Sequence, residues 1–452
     1  MMDIKKSLRG TLRLLLCFLL TAAVLIGFLL LSALVPRETI RPQMLTSAEY
    51  LCEGKLFGDV IPGVASSRID RYADSILLGI AWQFDSQDPL RSVMESSYFH
   101  LVYQNENENL RDAVVNGFPA NHQYLCYWHG SAGIVRILMI FLTLPQIYIF
   151  HAVLLGTLLL VLVWRLFRRG AFPLIIGMLV GMVAVSLWFV PLSLEYTWVF
   201  LILFVQTHLV LFSAFPKDWN KRIAFCLVSG MVTNYLDFLT TETLTLLVPL
   251  LFLLFLDHRE GRGKVSWMML FRSAFCWLIG YGGMFLLKWG LAGLVMGENP
   301  LPYVMEHVGE RMAGSVGVSF FRERMEILIR NISCLFPLNY GPVGNIAAIL
   351  IVLAALYAGY VYHRKGFDRG LVARYAVVAL IPNLRYLVLA NHSYLHYFFT
   401  YRAQAAAVFA VVLMIFELVH GAHVVCSPDA AKPAQEDCTL VRHLFTGIGT
   451  GS

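Results

Sequence analysis

The sequence predicts an all-α polytopic membrane protein: a bundle of about ten transmembrane helices with a long first extracytoplasmic loop. Three observations carry this. Hydrophobic residues make up 58% of the chain and charged residues only 14%. Apolar runs recur at about 18–25 residues, the length that crosses a hydrocarbon core. Clusters of Lys and Arg fall at alternate ends of those runs, as the positive-inside rule requires of cytoplasmic loops. The net charge of +6 belongs to those clusters. No basic stretch alternates with aromatics, so nucleic acid is not indicated as a partner.

The first run, "TLRLLLCFLLTAAVLIGFLLLSALVP", exceeds the apolar core of a signal peptide, about 7–15 residues. It reads as an uncleaved span over about 13–35; cleavage after "LSA" is the alternative. Further spans follow at about 146–167, 172–190, 197–215, 223–240, 243–257, 270–292, 343–362, 372–390 and 403–420. Lys5, Lys6 and Arg9 precede the first span. Arg165, Arg168 and Arg169 follow the second, and Lys217, Lys221 and Arg222 precede the fifth. Arg259, Arg262 and Lys264 follow the sixth, and Arg364, Lys365 and Arg369 the eighth. With ten spans, all of these share the side of both termini, which is then the cytoplasm. The expected location is the cytoplasmic (plasma) membrane. Residues 1–420 form one bundle, with 36–145 as the first outer loop and 298–342 as a second outer segment. The polar tail 421–452 is expected to be cytoplasmic and disordered.

In the first loop, "RIDRYADSILLGIAWQF" (68–84) places Ile69, Ala73, Ile76, Leu77 and Ile80 at helical spacing. It reads as an amphipathic helix on the membrane surface. "GSAGIVRILMIFLTLPQ" reads as a second interfacial helix, broken at Pro145. The chain has 8 cysteines and no CxxC. Cys17, Cys226 and Cys276 lie in apolar runs as packed thiols. Cys52 and Cys126 fall in the outer loop, where a disulfide between them is chemically permitted.

The polar residues collect on one side. "RIDRYAD", "YLCYWHG" (124–130), "LEYTW" (194–198), "TNYLDFLTTET" (233–243), "LLKWG" (286–290) and "LRYLVLANHSYLHYFFTYR" (384–402) all fall at outer ends or loops. A site is expected there. Each motif also has a plainer reading. Asp70 and Asp74, four apart, share a helical face, and Arg68 and Arg71 would neutralise them on a solvated surface. The Trp and Tyr residues would serve as an interfacial belt. Lys288 and Arg385 end apolar helices and would snorkel. Asp237, between Leu236 and Phe238, is costly at the hydrocarbon boundary and so points to a site. Glu195 and Glu242 lie nearer water. His392 and His396 are spaced as two metal ligands, but no third is near in sequence.

This layout resembles the GT-C class of membrane glycosyltransferases. In that class a multi-helix bundle carries a long first extracytoplasmic loop with surface helices. A carboxylate in that loop is the catalytic base, and the donor is a polyprenyl phosphate carrying one sugar. Asp70 and Asp74 of "RIDRYAD" match that carboxylate in loop and sidedness, although about 35 residues separate them from the first span rather than a few. The chain also resembles bacterial membrane proteins with "DRY" and "YWHG" in this loop. The resemblance implies an inverting hexosyl- or pentosyltransferase, with a glycan or lipid acceptor in the cell envelope. Such chemistry needs a base for the acceptor hydroxyl and cations for the leaving lipid phosphate. Cations on the correct side are Lys288, Arg311, Arg324, Arg330, Arg385 and Arg402. Trp128, Tyr196, Trp198 and Tyr235 offer faces on which a sugar stacks, and Asn234, His129, His396, Glu195 and Asp237 offer polar contacts. No P-loop or GxGxxG occurs, in keeping with a donor held in the bilayer and no certain cofactor; participation of a divalent cation is left open.

Three other functions fit parts of the pattern. A transporter or flippase for a lipid-linked envelope precursor would need polar residues at mid-membrane, and few charges lie there. A non-catalytic envelope-assembly scaffold would tolerate loss of Asp70, Asp74 and Asp237. An oligosaccharide polymerase would share the outer site.

Overall fold

The computed structural model describes residues 2–212, 215, 218–261, 266–313, 319–362 and 366–420, with side chains from residue 10 onward except 220 and 420. Lys217, Arg262, Lys264, Arg364, Lys365, the side chains of Lys5, Lys6 and Arg9, and the tail from 421 lie outside the described residues.

Helix α1 (Met2–Ala33) is followed at once by α2 (Arg37–Cys52), then by an antiparallel ribbon of β1 (Phe57–Asp59) and β2 (Arg68–Asp70). Helices α3 (Arg71–Gln83), α4 (Pro89–Glu95), α5 (Glu106–Asn116) and α6 (Gly130–Leu138) complete a folded unit ahead of α7 (Leu144–Arg168). The bundle continues with α8 (Phe172–Ala184), α9 (Leu194–Val210), α10 (Trp219–Leu236), α11 (Leu244–Arg259) and α12 (Trp267–Met296). Two shorter helices, α13 (Leu301–Met312) and α14 (Phe320–Ser333), precede α15 (Gly341–Tyr362) and α16 (Arg369–Val388). The turns α17 (Ala390–Leu395) and α18 (Tyr397–Thr400) lead into α19 (Gln404–His420). The chain is thus all-α apart from one small ribbon, and every expected span contains a helix. Among the described residues, 6 helical stretches are long and apolar enough to cross a membrane: Gly10–Ala33, Leu144–Arg168, Trp267–Met296, Leu338–Tyr362, Arg369–Val388 and Tyr397–Val419. Phe172–Ala184 and Leu194–Val210 are shorter apolar helices.

The first loop departs from expectation. Helix α3 is buried from Asp74 to Gln83, so it is a core helix rather than one lying on a membrane surface. It packs against α2, α5, α6 and α9, and its polar positions are tied inward. Ser75 Oγ donates to Asn107 Oδ1 (2.7 Å), whose amide donates to Leu51 O (2.8 Å), and Gln83 Nε2 donates to Phe118 O (2.8 Å). Buried polar groups persist only when paired in this way. Helix α5 is set by a capping box between Asn105 and Glu108 and stops at Gly117, whose φ is +70°. Helix α6 is largely buried as well, and Arg136 on it donates to the carbonyls of Ala81, Val35 and Phe84, tying α6 to the ends of α1 and α3. Pro145 does not break α6. It sits in the first turn of α7, where its missing N–H has no cost, behind the Thr143 cap. Cys52 and Cys126 are both free thiols; Cys52 Sγ lies 3.3 Å from Asn107 O instead.

In the bundle, α10 and α12 cross with their backbones in contact. A Cβ on Gly230 would fall 2.1 Å from Trp277 O, and one on Gly280 2.1 Å from Leu227 O. Glycine on both sides permits this approach. Toward α9 and α11, α10 presents Ser229, which accepts from Gln206 Nε2 (2.8 Å), and Thr233, 2.7 Å from Thr245 Oγ1. Lower on α10, Arg222 makes a two-pronged pair with Asp257 of α11 (2.6 and 3.1 Å).

Candidate functional site

Where the first-loop unit meets α9, α13, α17 and α18 there is a cavity of about 450 Å³. Its polar lining includes Asp70, Glu195, His129, His392, His396, Glu310 and Arg311, set among the rings of Phe57, Tyr72, Tyr98, Tyr124, Phe238 and Phe399.

Asp70 closes β2 and caps α3. Its backbone is non-helical (φ −103°, ψ 80°), and Oδ1 accepts from Ala73 N at 2.8 Å. It is 2% exposed. Burial, together with the charge of Asp74, pushes its carboxyl up to about 7. Asp74 lies one turn further on and is fully enclosed. Its carboxylate accepts from Tyr148 OH, from Ser193 Oγ (2.9 Å) and from Leu194 N (2.9 Å). It ties α3 to α7 and to the start of α9 and does not border the cavity. The two acids of "RIDRYAD" therefore part company. The cap residue turns off the helical path toward the cavity, while the residue inside the helix faces the core.

Glu195, in the first turn of α9, is the second carboxylate of the cavity. It is buried, and Oε2 has no protein partner. His129 adopts a left-handed conformation (φ +54°) ahead of α6, and its Nε2–H donates to Tyr124 O (2.9 Å). Burial lowers its imidazole to about 3 and that of His396 to about 4, so both are neutral at pH 7. His392 is also held neutral by burial and donates from Nε2 to Leu239 O (2.9 Å). The rings of His392 and His396 are 4.8 Å apart. Among the described residues no group of three His, Cys, Asp or Glu is placed to hold a metal ion. Arg311, from α13, is the only Lys or Arg that borders the cavity among the described residues. It sits close enough to Tyr124, Tyr127 and Glu195 for its charge to act on each.

The remaining candidates do not border the cavity. Asp237 closes the turn after α10, accepting from Thr240 N (3.1 Å) and Thr240 Oγ1. Arg385 is spent on Glu242 (2.7 and 3.0 Å) and Leu239 O. Lys288 is enclosed, donating to Val93 O (2.8 Å) and Ser96 Oγ (3.1 Å) at the end of α4, under the Trp128 ring. Arg402 donates to Ser66 O (3.2 Å) and lies over Tyr196. Arg324 pairs with Glu323 (2.9 Å), and Arg330 lies over Tyr394. Trp128 donates to Met284 O (2.8 Å) and packs near Tyr235, whose hydroxyl has no partner. Asn234 is buried with neither amide atom paired, and Trp198 meets His151 edge to face.

Sequence reasoning had not singled out Tyr72, Tyr98, His122, His307 and Glu310, which also line the cavity. A signal existed for two of them. In "EHVGER", His307, Glu310 and Arg311 stand at i, i+3 and i+4, one face of a helix.

Compared with protein-family models, curated proteins and solved structures, the chain matches none. Its chemistry must be read from the site. One enclosed carboxyl near neutrality can take a proton. One guanidinium can balance an anion. The ring-lined wall suits the faces of a sugar.

Proposed function

We propose that this chain is an inverting membrane glycosyltransferase working on the outer face of the cytoplasmic membrane, with ten spans and both termini inside. It moves a sugar from a polyprenyl-phosphate donor to a glycan or lipid acceptor of the cell envelope. The observation that carries this reading is the presence of Asp70 and Arg311 on one cavity bordered by aromatic rings. Asp70 Oδ1 is held by the cap bond, which fixes the carboxylate and leaves Oδ2 for a substrate proton. The acceptor hydroxyl gives its proton to Asp70 as its oxygen forms the new bond to the anomeric carbon. The bond from that carbon to the donor phosphate breaks, and the electron pair leaves with the lipid phosphate. Arg311 offsets the charge that develops there. Glu195 and the neutral histidines offer acceptors for sugar hydroxyls.

The test is to compare envelope glycans by mass spectrometry in cells carrying wild type, Asp70→Asn or Arg311→Gln, with protein level followed by blot. Asn caps a helix as well as Asp does, so Asp70→Asn is expected to keep the protein and lose one sugar mass. Arg311→Gln is expected to reduce the same product at least tenfold, the scale of one lost charge-assisted contact. An unchanged glycan profile in Asp70→Asn would overturn the assignment.

A further inference from the structure

We infer that α13 and α14 lie in the outer surface of the bilayer and present their apolar faces to phospholipid, so that one wall of the cavity is carried by membrane-embedded helices. On α14, Phe321, Met325, Ile329 and Ile332 follow one another at i+4, i+4 and i+3, and all are exposed, Phe321 by 76% and Ile329 by 61%. The opposite face is buried at Glu323, Ile327 and Asn331. Asn331 holds it in place, donating to Ser393 O (3.1 Å) and accepting from Thr400 Oγ1 (2.7 Å). Those partners belong to α17 and α18, which also bring His392, His396 and Phe399 to the cavity. Helix α13 repeats the arrangement. Leu301, Met305 and Met312 are exposed, while His307 and Arg311 turn to the cavity.

An apolar row of this size on a soluble surface would be an aggregation hazard. Two features identify what covers it. The first is tethering: residues 297–300 alone separate α12 from α13, a reach of at most about 17 Å. The second is continuity: seven residues, 334–340, join α14 to α15, and only 6% of the apolar window of the stretch Leu338–Tyr362 is buried. The medium that bathes Ile346 and Ile349 of α15 therefore reaches Ile329 and Ile332 of α14. Arg322, exposed beside the row, suits a phosphate headgroup. Helices with one apolar face and Arg at the edge settle about 5–10 Å into the headgroup boundary. A lipid-borne substrate can then reach Arg311 without leaving the leaflet. The inference rests on the membrane reading of α12 and α15, not on the transferase chemistry.

The purified full chain, reconstituted in vesicles of phosphatidylcholine and phosphatidylglycerol, would be irradiated with a phosphatidylcholine carrying a diazirine in its acyl chain, and adducts mapped by peptide mass spectrometry. Adducts are expected at Phe321, Met325 and Ile329, on α13 at Met305, and on α15 at Ile346 or Ile349. Glu323, Ile327 and Asn331 should stay clear. The Asp70→Asn protein should label as wild type does, which separates this result from any failure of the catalytic reading. Labelling on α15 with none on α13 or α14, or no labelling on α15 at all, would overturn the inference.

Discussion

At the scale of single residues, Asp70 and Asp74 show how a helix start divides two like acids. Both carboxyls are pushed up to about 7, chiefly by burial, yet only Asp70 borders the cavity. A raised carboxyl has a definite sign in stability. The folded chain keeps its Asp70 proton over a range where the unfolded chain, with an ordinary value of 3.8, has lost it. That contribution is complete below about pH 4 and is lost as pH rises through about 7. Asp70→Asn has no such proton to lose. Its melting temperature in detergent should therefore rise relative to wild type between about pH 5 and about pH 8. A constant difference across that range would show that Asp70 is not enclosed. Activity should follow the opposite limb, falling below about pH 7 as the base becomes protonated. Asp74→Ala removes the acceptor of three buried hydrogen bonds and should cost about 3 kcal/mol or more, read as an earlier melt and less protein. The helical spacing of "RIDRYAD" made both acids visible. It could not say which would be cap and which core, because that depends on the ribbon ahead of α3, and three-residue strands leave no periodic trace.

At the scale of elements, the long apolar helices were legible, and so were α3 and α6 as helices, but not their burial, nor α2, the ribbon, α4 and α5. Hydropathy marks a helix by what surrounds it. The α3 helix has an apolar stripe, but its remaining faces are covered by α2 and α5, whose own sequences are polar and lack a strong period. Contacts distant in sequence hid the cations too. Lys288 ends an apolar stretch and reads as snorkelling, yet it reaches back to the end of α4. Lys288→Met should lower stability by about 2 kcal/mol through the unpaired Val93 carbonyl, leaving the product of the surviving protein unchanged. A changed product would place Lys288 in the chemistry. Gly280→Val should prevent a folded protein from accumulating, since its side chain would start 2.1 Å from Leu227 O. Size-exclusion in mild detergent would show the loss of a monodisperse peak.

At the scale of the whole molecule, the proposed orientation rests on the basic clusters. Alkaline phosphatase fused after residue 117, within the first loop, should be active, and the same enzyme fused at residue 420 inactive. Activity at 420 would break the ten-span count. The polar motifs were readable without knowing any contact, and the cavity does form among several of those segments. What the sequence concealed was its membership: Arg311 borders it while Lys288, Arg385 and Arg402 are consumed in fastening helices together. Burial makes those fastenings necessary, because an unpaired charge inside the bundle costs several kcal/mol.

The glycine crossing of α10 and α12 also bears on how the chain is made. Helix α10 is not among the stretches apolar enough to cross a membrane unaided. It carries Arg222, Ser229, Thr233 and Asn234. Its partner Gly280 leaves the ribosome some fifty residues after Gly230. Until then α10 can pack on α1, α6 and α9, but its Gly230 face lacks the backbone that covers it. If α10 is a span, its entry into lipid is expected to be complete only once α12 emerges, which crosslinking of arrested chains of increasing length to the insertion machinery would check.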